Sequence, residues 1–204
     1  YQVDALIITA ATLSSEMAKV CDDEGTPVIL FNRTSPDAPV HTVSTDNVHG
    51  GRLAAEQLLA SGHQRFAYAS GPADTSTSQE RGEGFIERLE EAGMELTQRV
   101  NGLHSYESGL ATGAQLLDQP NRPDAIFCAS DIIAIGVIDR ARQLGIRAPD
   151  DVSIIGFDDI PEASWSAYNL TTIRLPVNRM VDSSLKLLQE EHVNPQRILV
   201  RGSM

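Results

Sequence analysis

Residues 125–157 read AIFCASDIIAIGVIDRARQLGIRAPDDVSIIGF and contain one complete strand–helix–strand unit. The stretch opens with a short apolar run, as expected for a strand that is buried on both faces. Asp131 can then cap an apolar helix, which ends at Gly145. A second apolar run at 152–157 follows the polar turn that begins at Pro149. Two strands that are joined through a helix of this length predict a parallel pair.

The same alternation of strands and helices continues through almost the whole chain. Further strands are predicted at 3–9, 27–31, 41–45, 65–69, 99–103, 172–175 and 197–201. Further helices are predicted at 13–23, between 46 and 62, at 79–92, at 106–118 and from 176 onward. This order is typical of α/β proteins with parallel sheets and helices on both faces. Because ligands of such sheets bind at the carboxyl ends of the strands, the polar residues just past each strand become candidates.

The composition excludes several classes of protein. The chain has 204 residues, of which 41% are hydrophobic and 22% charged, which is ordinary for a globular protein with a sizeable core. No stretch approaches the ~20 apolar residues of a membrane helix, and no signal-peptide pattern opens the chain. A net charge of −12 repels phosphate backbones, so this chain alone is a poor nucleic-acid binder. Cys21 and Cys128 do not form a disulfide framework and favour a reducing compartment.

Sequence motifs of catalysis are absent. The chain contains no G-x-x-x-x-G-K-[ST] phosphate loop, no complete G-x-G-x-x-G, no G-x-S-x-G and no H-E-x-x-H. Its five histidines do not have the spacing of metal ligands. Cys128 lies close to Ser130 and Asp131, but a cysteine in a buried strand is more often an inert core residue. We therefore predict that the protein is not an enzyme and uses neither a cofactor nor a metal.

Several spaced motifs together resemble one known family. They are LASGHQRFAYASGP at 59–72, RGEGF at 81–85, and PDDVSIIGFDD at 149–159, the last followed by LTTIR at 170–174. These motifs resemble those of the LacI/GalR family of bacterial transcriptional regulators. Three shorter motifs lie at the expected intervals between them: Asp46-Asn47, Ser108-Gly109 and Ala129-Ser130-Asp131. The resemblance covers essentially the whole chain.

The resemblance implies an effector domain with a type-I periplasmic-binding-protein-like fold. In that fold, two Rossmann-like subdomains are joined by three crossovers and a small ligand is clamped between them. Transferred to this chain, the N-terminal subdomain holds residues 1–62 and 173–194, and the C-terminal subdomain holds 63–172 and 195–204. A complete regulator of this kind also has a helix-turn-helix and further opening strands before Tyr1. The N-terminal subdomain is therefore expected to be incomplete in this chain.

The resemblance assigns ligand contacts to Arg81 and Asp158. The planar guanidinium of Arg81 would donate to ligand hydroxyls or to a carboxylate, which suits bidentate binding. The alternative is an exposed arginine in the first turn of a helix, where its charge opposes the helix dipole. Asp158 ends a buried strand and could accept hydrogen bonds from vicinal hydroxyls, whereas Asp159 is assigned to the hinge or the following turn. The alternative for both aspartates is a role as turn formers.

Asp46, Ser130 and His104 complete the predicted ligand-binding set. Asp46 can cap the helix that follows it, an interaction worth ~1 kcal/mol, and by resemblance it also faces the ligand. Ser130 occupies a position at which many members of the family carry Asn. His104 stands where members often place an aromatic ring that stacks on a sugar; the alternative is a solvated loop histidine. Leu175 replaces a common Gln, and the loss of that polar contact argues against a conventional hexose.

Three functions remain for comparison. The first is a non-enzymatic effector domain of a cytoplasmic homodimeric regulator, which binds a sugar or polyol and reaches operator DNA through a helix-turn-helix absent from this chain. The ligand could either release or promote DNA binding. The second is a periplasmic sugar-binding protein of a transport system, which shares the architecture. The third, an α/β enzyme, lacks a nucleophile–base pair or a metal cluster in the sequence.

Overall fold

The computed structural model describes residues 3–9, 20–21, 25–34, 40–190 and 194–204. The described strands are β1 (Leu6–Ile8), β2 (Val28–Phe31), β3 (His41–Thr45), β4 (Phe66–Ser70), β5 (Leu96–Asn101), β6 (Ala125–Cys128), β7 (Ser153–Asp158), β8 (Thr171–Arg174) and β9 (Arg197–Val200). The described helices are α1 (Asn47–Ala60), α2 (Ser76–Glu91), α3 (Tyr106–Leu117), α4 (Asp131–Gln143) and α5 (Val177–Gln189), with a 3₁₀ turn at Pro161–Ser164. None of these helices is long and apolar enough to span a membrane.

These elements form two compact units, each with its own parallel sheet. The first unit comprises Tyr1–Asp46 and Pro176–Arg201, and the second comprises Asn47–Leu175 and Gly202–Met204. In the described residues, the first unit has a four-stranded sheet in the order β1-β2-β3-β9. The second unit has a five-stranded sheet in the order β5-β4-β6-β7-β8. All neighbouring strands in both sheets are parallel, which confirms the predicted α/β class with two parallel-sheet subdomains.

In the first unit, α5 packs against the sheet through a narrower stripe than its apolar pattern predicts. That pattern gives five candidate core positions: Val177, Met180, Val181, Leu185 and Leu188. Met180 is buried as predicted, together with Ser184 and Leu187, and the hydroxyl of Thr45 in β3 donates to the Met180 sulfur at 3.4 Å. Val177, Val181 and Leu185 are instead exposed, because the spacing alone does not show which part of the apolar stripe faces the sheet.

The core of the second unit is built around aromatic rings. Tyr68 of β4 and Phe127 of β6 have ring centroids 5.3 Å apart, and Phe85 of α2 lies 5.1 Å from Phe127. All three side chains are fully buried. Rings at this separation contribute attraction beyond the free energy of burying their area. The central strands of this sheet therefore form a rigid base for the residues at their ends.

The helices of the second unit pack closely in two pairs, α1 with α2 and α3 with α4. In the first pair, a Cβ added at Gly51 would collide with the carbonyl oxygen of Arg81, and one at Gly84 would collide with that of Val48. Backbone therefore approaches backbone at both positions, and only glycine fits. This contact fixes the height of α2 relative to α1, and α2 carries Arg81.

The structure divides the chain at different positions from the predicted boundaries at 62, 172 and 194. Helix α1 lies in the second unit, because its apolar stripe, which includes Ala54 and Leu58, is buried in that unit's core. Strand β9 lies in the first unit, where it pairs with β3. An amphipathic helix between two sheets can pack on either of them, and contacts distant in sequence decide which.

Two elements of the second unit begin earlier than predicted. Helix α2 starts at Ser76 rather than at 79, which places Arg81 in the second turn. Strand β5 starts at Leu96 rather than at 99 and alternates between exposed and partly buried residues. This alternation is typical of a strand at the edge of a sheet, and it explains the weak apolar signal. Most of the helix predicted at 13–23 lies outside the described residues.

We predict that Gly51→Ala destabilises the second unit. The added methyl group would force α1 away from α2, and overpacking of this kind costs roughly 1–3 kcal/mol. The free energy of unfolding from urea titration should fall by about that amount. Gln57→Ala, an exposed position on the same helix, serves as the control and should change it by less than about 0.5 kcal/mol. Equal stability of the two variants would contradict the close contact.

Candidate ligand-binding site

The candidate site lies at the carboxyl edge of the five-stranded sheet, where its parallel strands all end. Loops that leave this edge of an α/β sheet are the usual location of ligand sites. The polar residues at or shortly past these ends are Ser70, His104, Ser130, Asp158 and Arg174. Helix α2 adds Arg81 and Ser78 to the same region, as the contacts below show.

Arg81 is the central residue of the site and is only 2% exposed. Its Nε donates to Asn47 Oδ1 at 2.9 Å, and its Nη1 donates to the Ala129 carbonyl at 2.5 Å. Nη1 also lies 3.3 Å from Asp158 Oδ1, and the guanidinium carbon is 3.6 Å from the centroid of the Phe157 ring. These contacts come from α1, from the residue just past β6 and from β7. The guanidinium therefore has a single fixed orientation, and the alternative of an exposed helix arginine is wrong.

Burial dominates the electrostatics of the pair formed by Arg81 and Asp158. Desolvation lowers the pKa of Arg81, and the charge of Asp158 opposes this change. Desolvation likewise raises the pKa of Asp158, and Arg81 opposes it. Each charge thus offsets part of the cost of burying the other. Removal of one partner would leave an uncompensated charge, which costs roughly 3–5 kcal/mol for a buried pair.

The backbone after β7 turns sharply to direct two carboxylates apart. Asp158 has φ 116° and Asp159 has φ 58°, both in the left-handed region that L-residues rarely adopt. Asp158 faces Arg81, whereas Asp159 Oδ2 accepts a hydrogen bond of 2.5 Å from Arg174 Nε in β8. Such conformations cost about 1–3 kcal/mol each and persist only where the surrounding contacts enforce them.

His104 and Ser130 come together on the other side of the site. The imidazole Nδ1 lies 3.3 Å from Ser130 Oγ, and Nε2 lies 3.4 Å from Ser78 Oγ. Gly71 lies so close beneath the ring that an added Cβ would collide with the imidazole. His104 nevertheless remains exposed. His104 is thus an exposed loop histidine whose ring is oriented by Ser78, Ser130 and Gly71, and its role in ligand binding stays a prediction.

Asp46 and Leu175 have different environments from these residues. Asp46 ends the first unit; its Oδ2 accepts from Arg201 Nε at 3.3 Å and its backbone N–H donates to Val200 at 3.0 Å. Leu175 packs against the core of the second unit. The structure thus brings Arg81, Asp158, His104 and Ser130 into the second unit and places Asp46 in the first.

Sequence reasoning missed two residues that contact the predicted ones. Asn47 is 1% exposed; it accepts from Arg81, and its Nδ2 donates to Glu80 Oε2 at 2.9 Å. It belongs to the quoted Asp46-Asn47 motif, so the signal was present but was attributed to its neighbour. Ser78 lies one turn before Arg81 on α2, and no sequence pattern distinguishes it from an ordinary helix serine.

The groups of the site are suited to binding rather than to covalent chemistry. Together they offer guanidinium donors, a carboxylate acceptor, an imidazole and serine hydroxyls, the groups that recognise a small molecule rich in hydroxyls. Burial raises the pKa of the Cys128 thiol, which keeps it protonated and unreactive. Within the described residues, no group of His, Cys, Asp and Glu side chains could hold a metal ion.

Residues 55–202 match the family described as the periplasmic binding protein-like domain. Among curated proteins, the chain is 31% identical to the HTH-type transcriptional regulator CelR of Thermobifida fusca, over 97% of this chain and 61% of that protein. It is also 31% identical to the HTH-type transcriptional repressor PurR of Photorhabdus laumondii, over 95% of this chain and 58% of that protein. The chain thus spans about three fifths of the length of these relatives.

Similar solved structures are also those of transcriptional regulators. A LacI transcriptional regulator from a Rhodococcus species superposes with a TM-score of 0.90 at 25% identity, over 100% of this chain and 76% of that one. A complex of the regulator CelR with cellobiose has a TM-score of 0.89 at 31% identity, over 98% and 64%. A LacI family regulator from Enterococcus faecium with bound ribose has a TM-score of 0.86 at 27% identity, over 98% and 76%. The chain therefore belongs to the periplasmic-binding-protein-like domain family, and its relatives are regulators of the LacI type.

Proposed function

We propose that the chain is the effector-sensing part of a LacI/GalR-type transcriptional regulator, which binds a sugar-like or polyol metabolite and modulates operator binding. The observation that carries the proposal is the ion pair between the buried Arg81 and the partly buried Asp158, whose Nη1 and Oδ1 atoms lie 3.3 Å apart at the carboxyl edge of the sheet. Relatives named as transcriptional regulators support the regulatory role over solute transport and over catalysis. In this proposal, the protein acts in the cytoplasm and does not catalyse a reaction.

The geometry of this pair suits adjacent hydroxyl groups. A sugar hydroxyl donates one hydrogen bond and accepts others, so neighbouring hydroxyls can use a cationic donor and an anionic acceptor together. Arg81 Nε and Nη1 are committed to protein partners, and we assign Nη2 to a ligand hydroxyl. Asp158 would accept from the next hydroxyl. The exposed face of His104 and the hydroxyl of Ser130 extend the site beyond the pair.

The ligand classes of two relatives agree with this assignment. One relative's structure contains cellobiose and another contains ribose. Both are neutral molecules with several hydroxyls, which matches a site whose buried charges already compensate each other. A ligand with a net charge would instead disturb the balance between Arg81 and Asp158. We therefore place this chain's effector among neutral sugars and polyols.

Regulation requires only a modest difference in free energy. The ligand must bind one conformational state of the regulator more tightly than the other. A tenfold change in operator binding corresponds to ~1.4 kcal/mol. One hydrogen bond to a charged group contributes about 1.5–3 kcal/mol. A single contact with Arg81 or Asp158 that forms in only one state is thus sufficient.

We further propose that the protein is a homodimer that contacts its partner through an aromatic surface on the second unit. Trp165 is 55% exposed, and its ring centroid is 6.5 Å from that of Tyr168. The hydroxyls of Tyr106 and Tyr168 both donate to Asp139 Oδ2 at 3.0 Å, which fixes the surface in place. Trp, Tyr and Arg are the residues enriched in protein interfaces. Operator DNA would be read by a helix-turn-helix that is not part of this chain.

A thermal-shift panel of pentoses, hexoses, disaccharides and polyols tests the ligand site. A sugar present at about 100 times its dissociation constant should add about 2.7 kcal/mol to the free energy of unfolding. The substitution His104→Ala, at an exposed position, should weaken the affinity for the same sugar by roughly five- to tenfold, because about one hydrogen bond to the ligand is lost. The double variant Arg81→Met with Asp158→Asn, which leaves no unpaired charge, should abolish the shift.

Arg147→Ala is the matched control for this panel. Arg147 precedes β7 at the opposite end of that strand and pairs with Asp150 and Asp151 in solvent. The variant should keep the full shift. A shift that survives in both His104→Ala and the double variant would show that the sugar binds elsewhere. A panel without any shift on the folded wild-type chain would contradict the proposed ligand class.

Sedimentation equilibrium tests the proposed dimer. Trp165→Glu should convert the dimer to monomer, because a charge placed in the centre of an apolar contact is poorly solvated. Trp165 is the single tryptophan of the chain, so its fluorescence should shift to shorter wavelength as protein concentration rises. Arg147→Glu should leave the association unchanged. A monomeric wild-type chain at high micromolar concentration would refute the assignment of this surface.

A further inference from the structure

We propose that Asp131 is a positioning residue of this site: its buried carboxylate holds the turn at 158–160 and thereby aims Asp158 at Arg81. The inference rests on the proposed ligand site, but not on which molecule binds there. Asp131 is the first residue of α4 and is fully buried. None of the ligand contacts proposed above involves Asp131 directly. Its role must therefore be understood through the groups that it holds.

Both oxygens of the Asp131 carboxylate accept hydrogen bonds from the segment around the site. Oδ2 accepts from the backbone N–H of Ile160 at 2.9 Å, and Oδ1 accepts from the Thr172 hydroxyl in β8 at 2.6 Å. One side chain thus ties the backbone amide of Ile160 to the neighbouring strand β8.

The surrounding structure makes room for this carboxylate. A Cβ added at Gly156 in β7 would collide with Asp131 Oδ1. Any larger residue at position 156 would therefore displace the carboxylate from the turn. The residue pair of Gly156 and Asp131 is thus matched in shape, which a simple helix cap pointing into solvent would not require.

The turn that Asp131 holds is the strained one. Asp158 and Asp159 both have positive φ, and neither is the glycine that would adopt this conformation without cost. The amide of Ile160 lies two residues past Asp158, so its hydrogen bond to Asp131 fixes the turn from which the Asp158 side chain leaves. If this amide loses its acceptor, the turn is free to relax, and Asp158 moves away from its position 3.3 Å from Arg81.

The charge of Asp131 makes this arrangement sensitive to pH. Desolvation raises its pKa to about 6, opposed by the hydrogen bonds from Thr172 and Ile160, while the charge of Asp158 raises it further. Besides Asp158 of β7, the titratable groups that interact with its charge are Arg81 of α2 and the Cys128 thiol of β6. The ionised form accepts from Ile160 and Thr172 at neutral pH, and protonation below about pH 6 weakens these two hydrogen bonds.

The upward direction of the pKa shift distinguishes a positioning role of Asp131 from a stabilising one. A pKa raised above the usual value for aspartate means that the folded state binds the proton more tightly than the unfolded state between about pH 4 and 6. Stability from this group therefore decreases as pH rises through that interval. Asp131→Asn removes the buried charge and also loses an acceptor. Its melting temperature at pH 7 should thus change little, although the turn is released.

The test is an NMR titration of the ¹⁵N-labelled full chain from pH 5 to 8, without any ligand. The amide of Ile160 reports the contact with Asp131, and the Nη1–H group of Arg81, which lies 3.3 Å from Asp158, reports the pair with Asp158. Both signals should titrate with one midpoint near pH 6. Thr172→Val removes a donor that bonds to Asp131 and not to Asp158, so it should move both midpoints upward together. Asp131→Asn should abolish this inflection in both signals.

Asp139→Asn is the matched control, because Asp139 lies on the same helix and is also hydrogen-bonded, to Tyr106 and Tyr168. It should leave both midpoints unchanged. An inflection at Ile160 with none at Arg81 would make Asp131 a purely structural residue and overturn the proposal. An Arg81 inflection that persists in Asp131→Asn would belong to Asp158 and would also overturn it. A sugar panel without hits would instead refute the proposed function while leaving this coupling intact.

Discussion

The burial of one positive charge, the guanidinium of Arg81, is the constraint on which the second unit depends. A cation that is 2% exposed requires compensation from several directions at once. Asn47 of α1, the carbonyl of Ala129 just past β6, and Asp158 and the Phe157 ring of β7 supply it. Apolar packing, including the stripe of α1, brings these elements together. The buried charge then requires these polar groups to meet where α1, α2 and the ends of β6 and β7 come together.

The architecture was predictable because it depends on local periodicity. Buried parallel strands give short apolar runs, and the helices between them end at glycine, so the order of elements and the parallel class followed from the sequence. The assignment of α1 to the second unit did not follow, because its stripe at Ala54 and Leu58 is compatible with either sheet. The buried face of α5 was predicted only in part for the same reason: Met180 and Val181 were both predicted as core residues, and only the packing shows that Met180 is buried and Val181 exposed.

The site was predictable where the chain itself brings residues to one edge. Asp158 and Ser130 follow parallel strands whose carboxyl ends must meet, and the family resemblance singled out Arg81 and His104. Asn47, Ser78 and Asp131 act through contacts that depend on the height and rotation of three helices, which periodicity does not fix. Arg81 shows the limit most clearly. Three extra residues at the start of α2 move it from the first turn to the second. The sequence left open an exposed helix arginine as the alternative to a ligand contact, and only tertiary packing shows that Arg81 is buried.

The features of the site lower the stability of the ligand-free protein, and the same features orient the groups that are proposed to bind the ligand. Two left-handed aspartates and a desolvated ion pair each lower the stability of the ligand-free protein. The same features keep Arg81 and Asp158 oriented before any ligand arrives, so a ligand does not need to reorganise them. Because the pair is nearly balanced in charge, a neutral polyol can share its hydrogen bonds without leaving a charge unpaired. In the proposed function, a preorganised pair of this kind would discriminate by the geometry of hydroxyl groups, and a small difference in that geometry between two states of the protein would be enough to couple binding to regulation.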